Sequence, residues 1–222
     1  MAENADSKVS IPQLIFIPSV ISLAITILRL VGELQHWPTS LFNREAGGPG
    51  SIIGITWLVP IFGVYFAMKL SSAGQRPASA AKAIGFAILG LAVTFAGGFV
   101  GFGMKAEFPG KLVIGLLLLT AGGVIAFLGW PALSKVLVAY GYAARIPVVI
   151  LMYFAIRGRW GTHYDVLPPD FPAETGFWST YFQIAFVPQM LFWIVFTIIV
   201  GGLFGGIAVA VARPSTKEPQ MA

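Results

Sequence analysis

The chain has 222 residues, of which 57% are hydrophobic, 14% aromatic and only 10% charged, with a net charge of +5. A soluble domain carries roughly 25% charged residues because a water-facing surface needs them, so this composition excludes a soluble globule and sets most of the surface against lipid. The absence of cysteine excludes disulfides and thiolate chemistry. With no basic run, the positive charge belongs to helix flanks and not to a nucleic-acid footprint.

A spanning helix needs about 20 mainly apolar residues, because each rises about 1.5 Å through a core about 30 Å thick. Six segments qualify, approximately 11–31, 51–70, 83–104, 112–131, 136–156 and 181–212. The chain therefore reads as an all-α polytopic membrane bundle of about six transmembrane helices, one domain over 11–212 between polar tails at 1–10 and 213–222. The first apolar run ends in "RLVGELQHW", which has no small-residue cleavage site, so it reads as a span and not as a signal peptide. The second follows "GGPG", and the third ends in "GGFVGFG", where Gly97 and Gly101 are spaced by four. The fourth begins after "EFPGK", and the fifth carries Arg145 at mid-span. The sixth is longer than one perpendicular crossing needs, so it either tilts or lies along the interface before Pro188. It also carries Gly201 with Gly205 and Gly202 with Gly206. Small residues at this spacing permit close helix approach. The expected partners are thus the bilayer itself and, through the glycine faces, other membrane subunits or a second copy.

Six spans put both tails and the second and fourth loops on one side. That side holds Lys8, Lys69, Arg76, Lys82, Lys135, Arg213 and Lys217. The opposite side holds Arg44, Lys105, Lys111, Arg157 and Arg159. Seven against five favours cytoplasmic tails.

Two polar features stand out. The first, third and fifth loops share a face, which gathers Glu33 and His36 with His163, Asp165 and Asp170. Imidazole and carboxylate are suitable metal ligands and acid–base groups, yet no H-x-x-x-H or E-x-x-H spacing occurs. A bis-histidine haem would need ligands projecting into the bundle core. The better-supported reading of "RGRWGTHYDVLPPDFPAETGFW" is a structured interfacial cap, its backbone fixed by prolines and its aromatics at headgroup level. No cofactor or particular metal is specified by the sequence.

Arg145 is the second feature. A bare charge at mid-membrane costs at least about 3 kcal/mol, and every acidic residue lies in a tail or loop, or at a helix end. Its expected partners are neutral: Gln189, which follows the start of the sixth span by a comparable depth, and Tyr142, with Pro147 freeing the carbonyl of Ala143. Such a polar pocket suits a lipid phosphate or an anionic solute, which guanidinium binds in bidentate fashion. In the alternative reading, residues 133–145 lie along the interface as an amphipathic helix.

There is no phosphate-binding loop, nucleophile elbow or H-E-x-x-H. The leading expectation is a non-enzymatic membrane protein that binds or moves a lipid or small solute, or packs as a subunit of a larger complex. The alternative is a membrane enzyme whose site lies on the loop face of His36, His163 and Asp165.

Overall fold

The computed structural model describes residues 9–48, 51–169, 171–172 and 174–212. Residues 1–8 and 213–222 of the tails, Pro49–Gly50 of "GGPG", and Asp170 lie outside the described residues. Among the described residues there are six helices: α1 Ile11–Leu34, α2 Leu58–Ser72, α3 Ala80–Gly103, α4 Lys111–Gly129, α5 Pro131–Gly158 and α6 Phe177–Val211. Five are long and apolar enough to cross a membrane, and α2 is a shorter apolar helix. The protein is an all-α integral membrane bundle.

Local chemistry sets the helix ends. Pro12 stands in the first turn of α1 and Pro131 begins α5, positions whose N–H would lack a helical partner anyway. The Ser79 hydroxyl accepts from the Lys82 N–H at 3.3 Å, an N-cap for α3.

Two elements depart from their expected bounds. The second span begins at Leu58, and residues 51–57 are irregular. Ser51 Oγ and the Ile53 N–H both donate to the carbonyl of Leu41, at 2.6 and 3.1 Å, tying this stretch to the preceding loop. Its β-branched residues and Gly54 give helix propensity little to set against those bonds. The last helix starts earlier, at Phe177, and runs unbroken to Val211. It is wound as π-helix over Phe182–Phe186 and Pro188–Phe192, because Pro188 has no N–H to complete the α-helical ladder. Residues 133–145 do not form a separate interfacial helix; they are continuous with the rest of α5.

Packing centres on α5. Tyr140, 1% exposed, stands edge-on to Phe62 and Phe66 of α2, each ring centroid 5.4 Å away. Its hydroxyl shares a 2.8 Å hydrogen bond with Ser22 Oγ, which joins α5 to α1. Where α2 meets α6, a Cβ on Gly63 would stand 2.6 Å from the Cα of Gly201, so the two backbones touch. Outward positions are apolar, with Phe95 70% and Leu117 64% exposed, as a lipid-facing surface requires.

Candidate functional site

The loop after α5 folds back onto the bundle. Arg159 ends the helix with φ 50, and Asp165 fixes the following turn by accepting from Gly161 N, Thr162 N and Thr162 Oγ1 at 2.9, 2.8 and 2.6 Å. The turn buries Thr162 completely and drives Tyr164 inward, its hydroxyl 3.4 Å from the carbonyl of Thr26 in α1. Burial pushes the Tyr164 phenol above its ordinary value, although the guanidiniums of both Arg29 and Arg145 act on it in the opposite sense. This hydroxyl therefore lies within the field of two arginines from two helices.

The loop is fastened by Glu33, which is 1% exposed at the end of α1. One carboxylate oxygen accepts from Arg29 Nε at 2.8 Å; the other accepts from the backbone N–H of His163 at 2.9 Å. His163 Nδ1 stands 2.6 Å from the first of these oxygens, a contact that becomes an ion pair when the ring is protonated. Arg29 also donates to the carbonyls of Asn43 and Gly48, at 3.2 and 3.4 Å. Burial holds His163 below its ordinary 6.5, and Arg29 adds to that against the pull of Glu33. The ring is therefore neutral at neutral pH.

Arg145 occupies the middle of α5 and is 5% exposed. Its Nη1 donates to Gln189 Oε1 at 3.1 Å, and the guanidinium lies over the Trp193 ring, 4.3 Å from the centroid. A desolvated cation–π contact contributes about 2 kcal/mol, and a charge-assisted hydrogen bond about 1.5–3 kcal/mol. Together they are comparable with the minimum cost of a central charge, about 3 kcal/mol. One group is left over: Nη2 is buried with no hydrogen-bond partner among the described residues. The π-winding of α6 explains why Gln189 arrives here. Positions five apart in a π-helix share a face, so Gln183 and Pro188 pair with Ile184 and Gln189, and all four line the same hollow.

That hollow is a cavity of about 730 Å³. It is bounded by α1 with Thr26 and Arg29, by α5 with Arg145 and Met152, and by the first half of α6. The irregular segment 51–57 and the cap residues His163 and Tyr164 complete its lining. The depths of the two arginines agree. Ser22 and Tyr140 mark one level, and Glu33 with His163 shows that α1 and α5 run the same way. Arg29 is then seven residues along α1 (29 − 22) and Arg145 five along α5 (145 − 140), about 10 and 8 Å at 1.5 Å per residue. Both guanidiniums thus serve one chamber. Irregular backbone at membrane depth persists only where it is buried in protein or lines a watery cavity, and segment 51–57 lines this one.

Of the sequence candidates, Glu33 meets His163 and Arg145 meets Gln189. Asp165 lies in the same loop as His163 but spends its carboxylate on the turn. His36 is exposed on a left-handed backbone with φ 56, its Nδ1 3.0 Å from its neighbour Leu34 O, and it does not line the cavity. Tyr142 points outward, 39% exposed, and lies 3.5 Å from the carbonyl of Met190. No group of three or more His, Asp or Glu side chains suited to a metal ion occurs among the described residues. Sequence reasoning did not assign Arg29 or Trp193 to the site, and it set Tyr164 among the headgroup-level aromatics of the cap, whereas the turn buries it against α1 and the cavity. Arg29 carried a usable signal, since Glu33 follows it by four residues on an otherwise apolar helix. Comparison with protein-family models, curated proteins and solved structures gives no match to this chain.

Proposed function

We propose that the chain is a non-enzymatic membrane protein whose cavity holds the anionic group of a lipid or small solute. One observation carries this reading: Arg145 Nη2 is buried without a partner among the described residues, at a cavity that Arg29 and His163 also line. An unpaired guanidinium edge in low dielectric is costly to leave empty, and two parallel N–H donors match a phosphate or carboxylate. Arg29 is already balanced by Glu33, so among the described residues the cavity has one uncompensated positive charge, that of Arg145. A single negative charge complements it. The walls beyond the arginines include Ile25, Ile55, Val148 and Ile184, a lining on which an acyl or other apolar portion can rest.

We read the glycine faces as packing within the six-helix chain, because Gly63 against Gly201 and Gly97 against the Leu119 backbone are internal contacts. Gly202 of α6 differs, as do Gly85 and Gly98 of α3, since a Cβ at each would meet nothing within 4 Å; these glycines are open to a partner helix in the subunit reading.

Native mass spectrometry of detergent-solubilised protein tests the proposal, with phosphatidylglycerol and phosphatidylcholine offered in turn and free dimethyl phosphate as the tail-less counterpart. Wild type is expected to retain one phosphatidylglycerol or one dimethyl phosphate, and Arg145→Gln neither. Equal retention of phosphatidylglycerol by a folded Arg145→Gln protein would remove the basis for the site.

A further inference from the structure

We propose that the anion enters this cavity together with one proton, which His163 takes up, so that binding is proton-coupled. The inference rests on the anion-binding reading above and adds a second, titratable station to the same chamber.

The geometry supplies the coupling. His163 lines the cavity that Arg145 and Arg29 line, and the cap holds it by its own backbone N–H on Glu33. The charged and titratable groups that face it come from each packed element. From α1 come Arg29 and Glu33; from its own loop come Asp165 and Tyr164; from α5 comes Arg145, across the chamber. The loop between α1 and α2 meets the ring with Gly48. Burial first, and then Arg29, keep the imidazole neutral, while Nδ1 already stands 2.6 Å from Glu33 Oε1. A negative charge entering the chamber that His163 lines opposes the field of Arg29 at the ring and favours imidazolium. The new proton then makes that short contact an ion pair. Nothing else has to move: Glu33 is fixed by Arg29 at 2.8 Å, so it serves as the counter-charge in both states. The proton comes from solvent and returns to it when the anion leaves, and no bond to carbon or phosphorus is made or broken.

Linkage requires reciprocity: if the anion raises proton affinity, protons raise anion affinity by the same factor. A phosphodiester is the suitable probe, because its own charge stays constant over the range in which His163 titrates. Phosphatidylglycerol in nanodiscs and free dimethyl phosphate separate a lipid source from a free anion. For the source that binds, affinity is expected to rise as pH falls from neutral through the ordinary histidine value of about 6.5, by at most about tenfold per pH unit. Calorimetry of wild type in two buffers of different ionisation enthalpy is expected to find uptake approaching one proton per anion within that range, a readout that needs no variant. His163→Gln is expected to lose the pH dependence and the proton uptake, whatever its affinity for the probe. If the anion binds wild type with no proton uptake across the range, or if His163→Gln retains the slope, the coupling is refuted while the anion site stands. If neither probe binds at any pH, the anion site fails and the coupling with it.

Discussion

Removing the Glu33 carboxylate is the most demanding perturbation of the chamber, because a single side chain at the end of α1 holds both an arginine and the cap. Glu33→Ala strands Arg29, whose side chain is 11% exposed, and leaves the His163 N–H without its 2.9 Å acceptor. Breaking one partner of a buried pair costs about 3–5 kcal/mol, chiefly through the uncompensated charge left behind. Two charge-assisted hydrogen bonds at about 1.5–3 kcal/mol each give a similar sum. Arg29 retains its contacts to the carbonyls of Asn43 and Gly48, which places the expectation at the lower end, about 3 kcal/mol. Reversible unfolding of the detergent-solubilised protein by increasing dodecyl sulfate measures it. The double variant Arg29→Met with Glu33→Ala removes the stranded charge and is expected to recover about half of the loss or more. A loss below about 1 kcal/mol in the single variant is the behaviour of a solvated surface pair, and would refute the claim that Glu33 is buried and fastens the loop.

Three further outcomes follow from particular contacts. Gly63→Ala places a Cβ 2.6 Å from the Gly201 Cα; backbone cannot yield as a side chain can, so a loss of about 1–3 kcal/mol is expected in the same unfolding assay. Gly202→Ala, which meets nothing within 4 Å, serves as its near-neutral control. Tyr140→Phe removes the 2.8 Å bond to Ser22 Oγ while Ser22 keeps its bond to the carbonyl of Pro18 at 2.9 Å; the expected cost is about 1 kcal/mol, and an increase in stability would contradict the pairing of α1 with α5. For the unliganded protein, the folded-state pKa of His163 lies below its ordinary 6.5, so the unfolded chain binds the proton first as pH falls. The His163 contribution to stability is therefore constant above that value and declines as pH falls below it; His163→Gln is expected to flatten that decline.

The sequence made the helices legible because lipid leaves the chain few choices. Runs of about 20 apolar residues must hydrogen-bond internally, and the positions of α1, α3, α4 and α5 follow from that alone. The irregular stretch 51–57 was not legible, since "SIIGITW" is as apolar as a helix and only its tie to the Leu41 carbonyl diverts it. The mid-span arginine was readable as a charge needing a neutral partner, and Gln189 emerged from matching depths along two helices. Tyr142 was assigned to the same pocket on sequence proximity; the helical turn rotates it to the outer face, where it is 39% exposed. Pairing His163 with Glu33 required knowing that the loop folds back, and no spacing in the sequence encodes that. Nor did any local signal join the two features, because the cavity that unites them arises from the π-winding of α6 and the shortness of α2.

The central claim is that the free edge of Arg145 receives an anion. Solid-state NMR tests it most directly, by measuring the dipolar coupling between phosphorus and the guanidinium nitrogens of 15N-arginine-labelled protein in phosphatidylglycerol bilayers, with Arg145→Lys as the assignment control. A bidentate contact puts phosphorus about 4 Å from those nitrogens, so the expected result is a strong coupling in wild type that disappears in Arg145→Lys. Coupling that is absent, or that persists unchanged in Arg145→Lys, would contradict the claim.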